Sequence, residues 1–184
     1  NGYDSNTLLI SSAMNIVGRP DVPKEKIVVV GSIMFNEGIQ GKCYLQHMTL
    51  RRAKYYGVQG HSSFTMDDVL VEQCGSGVFV EGPGVVGRCT NVEVRQCGKS
   101  GVVASSGGSI TLIGAKTTVH HNCTDGRSVS YGLKVTHGSS STIQLVSPLV
   151  KEQVSNDNGG GGNWGANDHY GDGAIHQIKT IAPQ

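Results

Sequence analysis

The densest run of titratable side chains in this 184-residue chain comprises His120, His121, Asp125, Arg127, Tyr131, Lys134 and His137. Imidazole gains and loses a proton near neutral pH, so proton transfer is the chemistry such a cluster suggests. On that ground His121, Lys134 and His137 are candidate catalytic groups, and His120, Arg127 and Tyr131 are candidates for gripping a ligand or a partner. Successive side chains on a strand point to opposite faces, so His120 and His121 meet one ligand only if a strand ends there. The lone Trp164, set among glycines, is a further candidate binding residue. A large ring on a polar loop anchors a partner or a sugar, or folds back to cover an open end of the structure.

Other chemistry-bearing residues point to plainer roles. Asp67-Asp68 is a candidate acid/base pair, but Asp side chains also bond the local backbone where a turn enters a strand, here before Val69. Asp157, Asp168 and Asp172 lack the Asp-x-Asp-x-Asp-Gly order of a calcium loop. The five cysteines are odd in number and irregular in spacing, with no Cys-x-x-Cys, so free thiols are expected, with no metal and no cofactor. Asn122-Cys123-Thr124 formally matches a glycosylation acceptor.

The elements that hold these residues announce themselves as a repeat. Gly57-Val58, Gly77-Val78, Gly101-Val102 and Gly132-Leu133 recur at intervals of 20, 24 and 31 residues, preceded by Tyr56, Ser76, Ser100 and Tyr131. The longest interval contains an extra loop, residues 123–130, able to wall a groove. Upstream of the glycines lie 48–51, 69–72, 92–95 and 117–120, stepping by 21, 23 and 25. Each unit carries strands of three to five residues with period-2 alternation, joined by Gly, Ser, Asn and Asp turns. So short a strand buries its apolar face only when like stacks on like, with Val71, Val94 and Val119 in one column about 4.8 Å apart. Glycine is expected at each corner, supplying a φ above zero. Outward, stacking makes a column of Arg51, Glu72, Arg95 and His120, alternating in sign, and beside it Arg52, Gln73, Gln96 and His121. Cys74 and Cys97 fall at equivalent places and form a side-chain ladder.

On the Gly-Val steps and segments such as Asn91-Val92-Glu93-Val94, across residues 27–155, the chain resembles the right-handed parallel β-helix proteins of the pectin-lyase-like superfamily, in particular short repeat-only members of algal and protist type. The expected fold class is therefore all-β, a right-handed parallel β-helix solenoid of about six to eight coils, the length divided by a repeat of about 22 residues. One domain over 1–184 is expected: an N-terminal coil or cap over 1–26, repeat coils over 27–154, a Gly-rich loop over 155–173 and a terminal strand over 174–184. The resemblance implies enzymes that cut or epimerise acidic polysaccharides, using paired carboxylates or a basic residue near a neutralised uronate. Asp67-Asp68 looks like the pair of polygalacturonase-like hydrolases, but that family also needs Asn-Thr-Asp upstream and Gly-His-Gly one coil downstream, where Tyr44-Leu45-Gln46 and Glu81-Gly82-Pro83 stand.

The function expected is thus a non-catalytic scaffold or protein-interaction module, a subunit of a larger assembly docking through a sheet face and the Trp164 loop. The alternatives are a lyase, hydrolase or C5-epimerase of acidic glycans, or a carbohydrate-binding module. A net charge of +1 provides no general pull toward nucleic acid, so another protein or an acidic polysaccharide is the expected partner. No apolar stretch approaches the ~18–20 residues of a membrane helix. The chain opens on Asn1 rather than Met, so no targeting address is read from it.

Overall fold

A computed structural model describes residues 6–136, 140–167 and 172–183. The protein is all-β, and every strand pairing is parallel. The strands fall into three ladders. The first is a seven-stranded sheet of Thr7–Ile10, Ser32–Phe35, Tyr56–Gly60, Ser76–Glu81, Val102–Ser105, Tyr131–Thr136 and Gly162–Asn167, paired in that order. The second and third ladders are the halves of an eleven-stranded sheet, because Tyr44–Arg51 and Phe64–Glu72 run through both. Asn15–Val17, 44–46, 64–67, Val86–Thr90, Ser109–Ile113, Thr142–Val146 and Ile178–Ile181 make the second. Val28–Val30, 48–51, 69–72, Glu93–Arg95, Thr118–His120 and Ser155–Asn156 make the third. The chain visits first, second and third ladder in rotation.

The apolar alternation sets this register. Leu50, Val71, Val94 and Val119 are directly in register and fully buried, as are Ile33, Val58, Val78, Val102 and Leu133 in the first ladder. Each buried Val or Leu contributes about 1.5–3 kcal/mol, and a one-residue slip would turn a whole strand's worth outward.

The corners differ from expectation. The bend between second and third ladders is made by His47, Asp68 and Asn91 at φ of 53°, 51° and 50°. The bend leaving the third ladder is made by Arg52, Gln73, Gln96, His121 and Asp157, all between 51° and 60°. Glycine takes other left-handed positions, Gly31, Gly38, Gly82, Gly107 and Gly114 among them, so the corners are shared between glycine and residues with side chains. The repeating Gly57, Gly77 and Gly101 serve close approach instead: a β-carbon there would overlap the Cγ1 atoms of Val71, Val94 and Val119. The segment expected as a Gly-rich loop also joins the ladders, through Ser155–Asn156 and Gly162–Asn167. Gly161 and Gly165 leave the room that the Tyr131 ring fills. Among the described residues no helix is long and apolar enough to cross a membrane.

Candidate ligand-binding groove

The outer face of the first ladder carries a groove of about 510 Å³. Its floor is aromatic: Tyr56 and Phe79 stack with ring centroids 4.5 Å apart. Phe79, Val103 and Lys134 follow one another in register, so the column passes from aromatic to cationic along the groove. The inserted loop supplies a wall through Arg127, Val129 and Ser130, and Lys99 lies beside it. Three cations, Lys99, Arg127 and Lys134, thus line the groove against one carboxylate, Glu81. Burial lowers the pKa of the Lys134 ammonium. Burial also raises that of the Tyr56 phenol, with Glu81 adding to the effect, so the hydroxyl stays protonated. Arg127 is held by Asp125 at 3.2 Å. On the floor, Thr136 Oγ1 donates to Ser105 Oγ at 2.9 Å and Tyr131 N donates to Ser100 Oγ at 3.1 Å.

The cluster singled out from sequence is divided by this geometry. Arg127 and Lys134 face the groove. His120 ends its strand of the third ladder, and His121 follows at φ 54°, so the condition for the two rings to converge is met: Nδ1 lies 2.7 Å from Nδ1. That pair belongs to the third ladder's corner and does not line the groove. Tyr131 lies over Gly161 and Gly165. Trp164 is in register with Leu133, packs against the core and carries Lys151 Nζ 5.4 Å from its ring centroid. His137 and Asp168 lie outside the described residues.

No family model, curated protein or solved structure matches this chain.

The sequence reading missed Phe79, Lys99 and Tyr56 as groove residues. One signal was present, since the residue before each repeating glycine recurs, and Tyr56, Ser76 and Ser100 all line the groove. The remaining candidates have structural partners. Asp68 sits at a left-handed corner, bonded to Lys24 Nζ and His47 Nδ1 at 2.6 Å each, while Asp67 accepts from Tyr44 and Gln46 at 3.3 and 3.2 Å. Side chains, not the local backbone, hold both. All five cysteines are free and buried, and burial pushes Cys89 up to about 12 and Cys123 to about 11, which keeps those thiols protonated. Asn122 is 1% exposed, and its Nδ2 donates to Val94 O and Asn158 Oδ1 at 3.0 Å each, so the glycosylation pattern has no accessible nitrogen. Among the described residues no three or more His, Cys, Asp or Glu side chains form a metal-binding group.

Proposed function

We propose that the protein is a right-handed parallel β-helix whose groove binds a segment of acidic polysaccharide without turning it over. The supporting observation is the combination of a stacked aromatic floor with three cations against one carboxylate. Sugar rings present apolar faces that lie against aromatic rings, and uronate carboxylates pair with Lys and Arg. The parallel pairing and rotation of strands through three ladders support the β-helix form, and a strand-to-strand crossover within a parallel sheet is right-handed in about 98% of cases. A protein partner was the first expectation from sequence, resting on a sheet face and Trp164. Trp164 is half-buried against the core, and the groove offers the larger combination of aromatic and cationic groups. Calorimetric titration with oligouronates tests the proposal: binding that weakens with salt and is lost with neutral oligosaccharides of equal length is expected. Equal binding of both, or of neither, would overturn it.

One observation favours a second reading, a lyase. A lysine whose pKa is lowered by burial is a stronger candidate to accept the C5 proton of a bound uronate, with Arg127 neutralising its carboxylate. Release of unsaturated product from the same oligouronates, abolished by Lys134→Ala, would identify turnover.

A further inference from the structure

The geometry points to a metal-binding site at the third ladder's corner, built on the Nδ1 atoms of His120 and His121 and taking a late first-row divalent cation such as Zn²⁺ or Ni²⁺. This inference is independent of the groove. Two features make the pair more than neighbouring surface histidines. The backbone leaves the strand at His121 in a left-handed conformation, φ 54°, which swings the second ring round to the same side as the first. The rings then stand edge to face, 5.0 Å between centroids, with Nδ1 2.7 Å from Nδ1.

The second feature is the orientation of His120. Its Nε2 is 3.2 Å from Glu93 Oε1, and Glu93 is itself held by Arg95 at 2.8 Å. A carboxylate only accepts, so a neutral His120 ring carries its proton on Nε2 and presents a lone pair at Nδ1. His121 is then the donor in the short contact. A carboxylate behind an imidazole is the outer-shell arrangement that fixes a metal-ligating tautomer. Zinc binds imidazole nitrogen at about 2.0–2.1 Å, so two nitrogens on one ion stand about 2.9–3.4 Å apart. Opening the pair by a few tenths of an ångström reaches that separation, and His121 is exposed. Its proton passes from Nδ1 to Nε2, so both rings coordinate as neutral imidazoles through Nδ1. Water fills the remaining positions, since no third His, Cys, Asp or Glu joins the group among the described residues. Imidazole donors with open positions suit zinc, nickel and copper rather than magnesium or calcium.

Titration of the full chain with Zn²⁺, followed by imidazole resonances and calorimetry, tests the site. Resonances of His120 and His121 should move together and saturate at one equivalent. His121→Gln, which installs the residue found at the two preceding corners, should weaken that binding at least tenfold. Glu93→Gln should weaken it about tenfold through the lost orientation of His120. The inference is overturned if neither imidazole responds to Zn²⁺ in the native chain, or if His121→Gln binds as tightly as the native protein.

Discussion

The third ladder carries Arg51, Glu72, Glu93 and Arg95 on its strands, whereas the first ladder carries Glu81 and Lys134 and is joined at its groove by Lys99 and Arg127 from connecting segments, and the two faces use their charges differently. On the third ladder Glu72, its side chain 4% exposed, lies between Arg51 and Arg95, and Arg95 and His120 both reach Glu93. Arg51, Glu72 and Arg95 each have an opposite charge one rung away. At the first ladder's groove Lys99 and Lys134 have no carboxylate partner among the described residues and line a floor that carries a stacked aromatic pair. Paired charge on a ladder is consumed in holding register, whereas unpaired charge around a concave floor with a stacked aromatic pair is available to a ligand.

Substitutions should separate the two faces. The largest effect is expected from Glu72→Ala, which leaves two guanidiniums facing one another over a buried gap. Breaking a buried pair costs about 3–5 kcal/mol; with both arginines about one-third exposed, about 2–3 kcal/mol is expected in urea unfolding, and groove binding should be unchanged. Burial alone would raise the Glu72 carboxyl pKa, but hydrogen bonds from Arg95 and Arg51 outweigh it and the pKa is lowered. That contribution is present above the unfolded value of about 4.3 and disappears as pH falls through the lower folded value, so the native protein should lose more stability than Glu72→Ala on acidification.

Lys134→Ala should show the reverse pattern: unfolding within about 0.5 kcal/mol of the native protein, and oligouronate affinity reduced about tenfold by calorimetry. Loss of stability without loss of affinity would place Lys134 with the structural charges and break the contrast.

The His47 cluster provides a pH test on a third location. Hydrogen bonds to Asp68 and to the Val22 carbonyl raise the His47 pKa, and both ring nitrogens are engaged. Its contribution is complete below the unfolded imidazole value of about 6.5 and is lost as pH rises through the higher folded one. Urea midpoints measured across that range should fall with rising pH in the native protein and flatten in His47→Gln. The smallest effect is expected at Gln73→Asn, which removes the exposed 3.3 Å bond from Gln73 to Gln96 while keeping a residue that tolerates the left-handed corner: under about 0.5 kcal/mol, read from the same midpoints.

Much of the ladder register was legible beforehand, because period-2 burial and a repeat near 22 residues leave few ways to stack strands three residues long. The column Arg51, Glu72, Arg95 and His120 is in register as the spacing implies. The wall formed by Arg127, Val129 and Ser130 also follows from the one interval that is too long. The candidate site was legible only in part. His120, Tyr131 and Lys134 are neighbours in sequence, but a corner and a ladder change send them to the third ladder's edge, the glycines of the next strand and the groove. Phe79 carries no motif, and becomes a floor residue because Tyr56 lies one rung away on the same outward face.

Periodicity is a local property, so the amino-acid order was enough to specify strand type, the inward columns and the outward charge ladder. Corner geometry was not. Which residues adopt a left-handed backbone, and which glycines exist to admit a valine from the neighbouring ladder, depends on how closely the ladders pack, and that distance is known only once the chain has closed on itself. The same closure turned one dense sequence cluster into two separate surfaces, a cationic groove and a convergent imidazole pair.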